Sequence, residues 1–139
     1  MNYRVCLFND LPDEAAYIRN TVFVKEQGFT DEFDAIDERS WHVIVYDGEK
    51  AIATGRVFSD SKTEYHIGRV AVLKEYRSFG IGKMVMNALE QKAKELGAEI
   101  IHLGAQCQAE EFYRKAGYEA SGEIFLEQMC PHITMTKKL

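Results

Sequence analysis

One stretch of the sequence, Arg69–Leu103, restricts the fold more than any other. An apolar run at Arg69–Leu73 leads through a glycine-containing loop into Ile81–Leu96, whose apolar residues recur with the spacing of one helical face. A second apolar run follows at Glu99–Leu103. Because a strand, a crossover helix and a second strand form a parallel pair, this order predicts a sheet that is parallel at one place.

The rest of the chain predicts antiparallel neighbours for that pair. Asp47-Gly48 is a strong hairpin signal between two β-branched and aromatic runs, Trp41–Tyr46 and Ala51–Phe58. A polar turn then leads into Glu64–Leu73, the third arm of a meander. The remaining strand patterns lie towards the two ends of the chain, at Tyr3–Phe8, Tyr118–Leu126 and His132–Thr136.

Two further helices complete the predicted pattern. Asp10 is placed to cap the first, with Pro12 in its first turn, and the helical spacing continues to about Glu26 before Gly28 stops it. The second spans Ala109–Ala116. We therefore predict an α+β fold, an α/β/α sandwich in which a mixed, mostly antiparallel sheet of about seven strands carries helices on both faces.

The composition of the chain argues against nucleic-acid and membrane partners. The 139 residues include 17 basic and 22 acidic side chains, a net charge of −5, so the cationic footprint that nucleic-acid binding requires is missing. No apolar run reaches the roughly 18 residues of a membrane span, and the first residues lack a signal-peptide pattern. We predict one domain, residues 1–139, in the cytoplasm, without nucleic-acid or membrane partners.

The cysteines predict neither disulfides nor a metal site. Cys6, Cys107 and Cys130 are an odd number in a chain without a leader pattern, which favours reduced thiols. Cys130 precedes Pro131-His132, but this spacing matches no common metal-ligand pattern and no second ligand pair supports it. The sequence therefore predicts no bound metal.

The loop before the crossover helix is the strongest candidate for a ligand site. Backbone N–H groups at a helix start, reinforced by the helix dipole, bind anions, and Gly80 and Gly82 lack a Cβ that would block a phosphate. Arg77 and Lys83 flank the loop and add positive charge. Two glycines are equally consistent with a tight turn that binds nothing, and neither the three-glycine dinucleotide fingerprint nor the Walker lysine pattern is present.

Three features together resemble the GNAT N-acetyltransferase family. Arg77-x-x-Gly80-x-Gly82 after an apolar strand is similar to the family's acyl-CoA signature, and Phe112–Tyr118 is similar to its phenylalanine/leucine-tyrosine-x-lysine-x-glycine-aromatic segment. The closing strands are similar as well, so the resemblance covers essentially the whole chain. Val22–Gln27 and Pro131-His132 further resemble the ElaA-like subgroup.

The resemblance implies a GNAT fold, an acetyl-CoA cosubstrate and a set of site residues. Loop amides would hold the CoA pyrophosphate, the preceding strand would pair with the pantetheine amides, and a glutamine stands where many members have an asparagine on the CoA arm. The implied CoA-binding residues are Val70, Ala71, Val72, Arg77, Ser78, Phe79, Gly80, Ile81, Gly82, Lys83 and Gln106. Tyr113 would protonate the departing thiolate, since a phenol with a pKa of about 10 is neutral at pH 7. The alternative is a Tyr113 that only packs on the core.

The sequence does not identify the residues that handle the acceptor. Many family members deprotonate the amine with a glutamate on the fourth strand, and no carboxylate occupies that position here. The candidates for this base are Glu26, His42, His66, His102 and His132. The acidic run Asp31–Glu38 is typical of a solvated loop, although in the family the region after the first helix lines the acceptor site, where this run would suit a cationic amine.

Two functions follow from this reading. The first, which we favour, is an acetyl-CoA-dependent N-acetyltransferase in which a primary amine attacks the thioester directly. The acceptor could be a polyamine, an aminoglycoside-like drug, another small metabolite or an amine of a peptide or protein. The alternative is a non-catalytic CoA or acyl-CoA binding module that acts as a sensor. The resemblance is also compatible with a homodimer.

Overall fold

The computed structural model describes residues 2–30 and 33–139, and within them seven strands form one sheet. The strands are β1 (Tyr3–Phe8), β2 (Trp41–Asp47), β3 (Lys50–Ser59), β4 (Glu64–Val72), β5 (Ile100–Gln106), β6 (Glu119–Glu127) and β7 (Cys130–Lys138). Their order is β1-β2-β3-β4-β5-β7-β6, and all neighbours are antiparallel except the parallel pair β4–β5. The predicted mixed, mostly antiparallel sheet is confirmed.

Helical segments connect the strands. In chain order they are α1 (Asp13–Arg19), a π-helical segment (Asn20–Glu26), a 3-10 segment (Ala35–Arg39), a 3-10 turn (Lys74–Tyr76), α2 (Ile81–Glu95), a 3-10 turn (Cys107–Ala109) and α3 (Glu110–Lys115). α2 is the predicted crossover between the two parallel strands. Within the described ranges, no helix combines the length and the apolar character needed to cross a membrane.

The first helix differs from the prediction at its start and in its winding. It begins at Asp13 with Pro12 at the N-cap, and no side chain caps it, so the predicted Asp10 cap is wrong. Pro12 sets this boundary because its extended backbone (φ −72°, ψ 152°) cannot belong to a helical turn. From Asn20 the winding becomes π-helical. Gly28, with φ of +79°, ends the helical segment as predicted.

Helices cover both faces of the sheet, as predicted. Successive residues of a strand point to opposite faces, and on β2 Val43 and Val45 join the α2 core while Ile44 and Tyr46 pack on the side of α1. We call these the α2 face and the α1 face. Gly55 on β3 lets α2 approach closely, because a Cβ there would lie 2.8 Å from the side chain of Leu89.

The two parallel strands separate soon after they meet, and this opens the sheet. β4 pairs with β5 only along Glu64–His66, opposite Ile100–His102. Beyond that point β4 has a bulge, where Arg69 adopts a φ of +53°. β5 then continues to Gln106, three residues past its predicted end, because β7 pairs with it along its full length.

Candidate active site

The separation of β4 and β5 produces a cleft of about 940 Å³ that runs from the start of α2 to the β6–β7 turn. Most of the residues that the sequence analysis assigned to CoA binding or acid catalysis line this cleft, namely Val70, Ala71, Val72, Arg77, Ser78, Gly80, Ile81, Gly82, Lys83, Gln106 and Tyr113. The exception is Phe79, whose side chain is 57% exposed and does not line the cleft. Segments far apart in sequence therefore meet at one opening.

The start of α2 leaves backbone donors at the cleft. Gly80 is the N-cap residue in a left-handed conformation, with φ of +78°, and no side chain caps the first turn of the helix. A Cβ on Gly80 would meet nothing within 4 Å. The uncapped N–H groups, together with the positive end of the helix dipole, form a ready site for an anionic group.

Gly82 has a different role from the one the sequence suggested. The space that its missing Cβ would occupy is filled by the ring of Phe112, whose nearest atom would lie 3.0 Å away. Close approach of a phosphate is therefore not the reason for glycine at this position. Gly82 instead allows α3 to dock its aromatic ring against the first turn of α2.

Arg77 is exposed, but its guanidinium is already engaged by protein groups. Its guanidinium donates two hydrogen bonds to Glu26 at 2.6 and 2.8 Å, and its Nε donates to the carbonyl of Val72 at 3.0 Å. The hydrogen bond from Arg77 holds the pKa of Glu26 below its usual range. Glu26 is thus a poor base, and it does not line the cleft.

Tyr113 contributes a protonated phenol to the α2-face side of the cleft. Its ring packs against the α2-face core and meets Phe112 and Tyr118 edge-on, at centroid distances of 5.0 and 6.1 Å. Burial raises the pKa of Tyr113 to about 12, so the hydroxyl keeps its proton at neutral pH. In the part of the chain that the structure describes, this hydroxyl has no hydrogen-bond partner.

Gln106 forms a bridge across the mouth of the cleft. Its amide nitrogen donates to the side-chain oxygen of Gln27 at 2.9 Å, and its own oxygen accepts from Gln108 at 2.6 Å. The end of β5 is thereby tied to the segment that follows the π-helical turns. The sequence placed Gln106 on the CoA arm, and in this structure its amide is engaged by protein groups.

The acidic run after the first helix is only partly a solvated loop, which corrects the prediction. Asp37 is 5% exposed and binds Arg19 through two hydrogen bonds of 2.7 and 3.1 Å. Arg56 on β3 donates to Asp37 at 2.9 Å and to Asp34 at 2.7 Å. Arg69 at the β4 bulge reaches Asp34 at 3.3 Å. Residues 31 and 32 of the run lie outside the described residues.

These ion pairs fix the α1 face around the cleft. Burial alone would raise the pKa of Asp37, but the hydrogen bonds and charges of Arg19 and Arg56 outweigh it and hold that pKa below its usual value. The hydrogen bond from Arg56 does the same for Asp34. The sequence carried no signal for this network, because its bonded partners are up to 35 residues apart and its members belong to four different segments.

His66 stands where the cleft begins. It is the last residue of β4 that pairs with β5, and because its neighbour Ile67 packs in the α2-face core, its ring points to the α1 face. The ring stacks on Phe58 at 5.1 Å, and Nδ1 lies 3.5 Å from a carboxylate oxygen of Asp60. Burial lowers the pKa of His66 despite the attraction of Asp60, so the imidazole is neutral at pH 7.

His132 on β7 lines the opposite wall of the cleft in a similar arrangement. Its ring stacks on Phe125 at 5.7 Å, and Nε2 lies 3.7 Å from a carboxylate oxygen of Glu127. The other two histidines, His42 and His102, do not line the cleft. Of the five residues considered as bases, the cleft therefore contains two. Asp60, Phe125 and Glu127 were not predicted, since their roles depend on strand pairing across long stretches of chain.

The described residues contain no group of three or more histidine, cysteine, aspartate or glutamate side chains that could hold a metal ion. What the cleft does contain is a set of uncapped amides and a neutral phenol on the α2 face, and imidazoles with carboxylates on the α1 face. Such an arrangement can bind an anionic chain on one side and move protons on the other.

Comparison with known proteins agrees with this geometry. A sequence model of the acetyltransferase (GNAT) domain matches residues 9–139. YjcF of Bacillus subtilis, named as an uncharacterized N-acetyltransferase, is 43% identical over 128 residues, which cover 89% of this chain and 90% of YjcF. An acyl-CoA N-acyltransferase from Pseudomonas aeruginosa has a TM-score of 0.83 at 25% identity, with 98% of both chains covered. Escherichia coli ElaA has a TM-score of 0.85 at 23% identity, with 99% of both chains covered, which shows the shared fold.

This fold, with a cleft that divides two parallel strands, is the fold of acyl-CoA N-acyltransferases. The protein belongs to the GNAT acetyltransferase family, because the match to the family covers almost the whole chain and a relative aligned over about nine-tenths of both chains is 43% identical. The resemblance stated from sequence is therefore confirmed, as are the GNAT fold and the class of enzyme. Members of this family transfer an acyl group to an amine.

Proposed function

We propose that the protein transfers an acetyl group from acetyl-CoA to a primary amine, which attacks the thioester directly. The observation that carries this proposal is the opening between β4 and β5, which joins the uncapped start of α2 and Tyr113 on one face to His66 on the other. Acetyl-CoA would enter from the α2 face and the amine from the α1 face.

The start of α2 would hold the cosubstrate. The N–H groups of residues 80–83 would donate to the CoA pyrophosphate, and Gly80 leaves the space for its oxygens. Val70–Val72 on β4 border the opening, where β5 no longer pairs with them, so their backbone groups would be available to the pantetheine amides, except the carbonyl of Val72, which accepts from Arg77. Arg77 would act indirectly, because its bonds to Glu26 keep the loop in place.

Tyr113 would act as the acid. When the amine nitrogen forms its bond to the acyl carbon and the carbon–sulfur bond breaks, the departing thiolate needs a proton. A phenol whose pKa burial has raised to about 12 is fully protonated at pH 7 and can supply it. The absence of a hydrogen-bond partner for this hydroxyl among the described residues leaves it available to the sulfur.

His66 would act as the base. A primary amine with a pKa near 10 is only about 0.1% neutral at pH 7, so the ammonium must lose a proton before it attacks. In neutral His66, Asp60 favours the tautomer with the proton on Nδ1, which leaves the lone pair of Nε2 for the amine or for one intervening water. This assignment places the base and the acid on opposite faces of the opening.

A thiol-release assay over a panel of amines tests the proposal. We expect CoA release with acetyl-CoA and at least one amine, and a fall in kcat of about 100-fold in His66→Gln, with the acid limb of the pH profile lost. His102→Gln is the matched control, since His102 does not line the cleft, and it should keep wild-type kcat. Acetyl-CoA binding by calorimetry without release for any amine would favour the non-catalytic sensor.

We also propose that the enzyme works in the cytoplasm. All three cysteines are free thiols, which suits a reducing compartment. A homodimer stays a prediction, which the molar mass from light scattering would test directly.

A further inference from the structure

The wall of the cleft formed by the β6–β7 hairpin presents a carboxylate, an imidazole and an aromatic ring. We call it the hairpin wall and define it as Phe125, Glu127 and His132, all of which line the cleft. We infer that the hairpin wall binds a second cationic group of the acceptor, so that the preferred substrate is a primary amine that carries a further ammonium, as in a linear diamine. This inference rests on the proposed function, because it places that second group in the same cleft.

The proton on His132 is located by its neighbour. Nδ1 lies 2.8 Å from the carbonyl oxygen of Cys130, which can only accept, so in the neutral ring Nδ1 carries the hydrogen and Nε2 carries the lone pair. In that tautomer, Nε2 lies 3.7 Å from a carboxylate oxygen of Glu127, and neither atom carries a hydrogen that it could donate to the other. His132 lines the cleft and is 5% exposed overall, and no protein donor among the described residues satisfies this nitrogen. A ligand that donates hydrogen bonds to both Nε2 and the Glu127 carboxylate would satisfy these two acceptors, and an ammonium group has three N–H donors.

Phe125 adds an apolar and aromatic surface beside these acceptors. Its ring reaches across β7 to β5, where a Cβ on Gly104 would lie 3.3 Å from the ring tip. Glycine at 104 therefore lets the ring lie beside the opening between β4 and β5. An aromatic face next to a carboxylate is a favourable site for an ammonium, through cation–π attraction in addition to the ion pair.

The hairpin is held over the cleft by a contact with the segment after the first helix. The side-chain amide of Gln128 accepts from the backbone N–H and hydroxyl of Thr30 and donates to the carbonyl of Thr30. Gln128 and Met129 both adopt positive φ, of 49° and 66°, at the tip of the turn. Glu127, directly before this turn, is thereby fixed at the rim of the cleft.

On the α1-face side of the cleft, the arginines are neutralised by their own carboxylate partners, so Asp60 and Glu127 are the charged groups left to select a ligand. Arg56 is bound by Asp34 and Asp37, and Arg69 is bound by Asp34. In contrast, within residues 2–30 and 33–139 neither Asp60 nor Glu127 has an arginine or lysine partner, and each faces a histidine. Glu127 is therefore available to a second ammonium of the acceptor while the reacting amine lies beside His66.

Kinetics with butylamine, diaminobutane and aminobutanoate, which share a four-carbon chain, tests the inference. We expect the wild type to have its highest kcat/KM with diaminobutane. In Glu127→Gln, the preference for diaminobutane over butylamine, expressed as the ratio of the two kcat/KM values, should fall about tenfold or more. This is the size expected for the loss of a charged hydrogen bond of about 1.5 kcal/mol. Phe125→Leu should lower the same ratio about threefold. Glu123→Gln is the control, since Glu123 is exposed on the same strand but does not line the cleft.

Three results would overturn the inference: no preference of the wild type for diaminobutane, a preference for aminobutanoate, or equal losses for both amines in Glu127→Gln. Failure of the proposed function is distinguishable from these. If no amine releases CoA, calorimetric titration of the acetyl-CoA-loaded protein with diaminobutane still measures binding at the hairpin wall. Weaker binding in Glu127→Gln than in Glu123→Gln supports the inference. Equal binding in the two variants contradicts it.

Discussion

The two faces of the cleft, the α2 face and the α1 face, are built in different ways. On the α2 face, the candidate CoA site consists of main-chain groups from one short loop and the first turn of α2, and few side chains determine it. On the α1 face, the candidate amine site consists of side chains from four strands, held by ion pairs between segments far apart in sequence. The candidate CoA site therefore depends on one local segment of the chain, whereas the candidate amine site depends on tertiary contacts between distant segments.

This difference indicates which half of the site can vary without changing the fold. A site for a cosubstrate shared by a whole family can be encoded by a loop of fixed backbone shape. A site for an acceptor needs side chains that can be exchanged one at a time on the same strands. Substitutions on each face test whether the two halves of the site differ in this way.

The largest effect is expected on the α1 face, at Asp37. Asp37→Asn leaves Arg19 and Arg56 buried without their shared carboxylate, and removal of one partner from a buried ion pair typically costs about 3–5 kcal/mol. For a domain of this size, that corresponds to a melting temperature lower by roughly 10–20 °C. Differential scanning calorimetry would measure it.

Glu38→Gln is the matched control for Asp37→Asn, because Glu38 is the exposed neighbour in the same 3-10 segment. It should change the free energy of unfolding by no more than about 0.5 kcal/mol. A similar small change in Asp37→Asn would mean that the ion network does not hold the α1 face together.

Tyr113→Phe is expected to have the next largest effect, and it acts on catalysis alone. Loss of a general acid typically lowers the rate by about 100-fold or more, while acetyl-CoA affinity should stay within about threefold of the wild type. Steady-state kinetics and calorimetry measure the two quantities. An unchanged kcat would leave Tyr113 as a packing residue of α3, the alternative that the sequence allowed.

These substitutions also mark how far the sequence could predict the molecule. The strands and the crossover helix follow from patterns within about fifteen residues and are confirmed, whereas the role of the glycine loop as a ligand site stays a prediction. Asp37 could not be predicted as buried, because its partners Arg19 and Arg56 reach it only after β3 and the first helix are packed. The choice of His66 among the candidate bases likewise depends on where β4 and β5 separate, which a bulge determines and no local pattern indicates.

A smaller effect, on stability, is expected on the α2 face for a substitution at Gly82. Ala is favoured over Gly within a helix by about 1 kcal/mol, but here its Cβ would press on the ring of Phe112. We expect Gly82→Ala to give little gain in the wild type and a gain of about 0.5–1 kcal/mol in a Phe112→Leu background. A double-mutant cycle by urea denaturation measures the coupling. Equal effects in both backgrounds would show that the ring does not restrict this position.

The smallest effect concerns pH. Burial is the main reason that the pKa of His42 lies below its usual value, even though its Nε2 contacts the carbonyl of Asp37. The unfolded chain therefore binds more protons than the folded protein below about pH 6.5, and the free energy of unfolding falls as pH decreases through that range. Between pH 6.5 and 5.5 this amounts to at most roughly 1 kcal/mol, measurable by urea denaturation in the wild type and in His42→Gln. A wild type whose stability is flat over this window would contradict the assignment.

The most direct test of the central claim is a crystal structure of the protein with acetyl-CoA. The account predicts the pyrophosphate on the N–H groups of residues 80–83 and the thioester in the opening between β4 and β5. The sulfur should lie within hydrogen-bond reach of the Tyr113 hydroxyl, and the acyl carbon should face His66 across the opening. An acetyl group that lies outside the opening, or a pyrophosphate bound away from the start of α2, would contradict it.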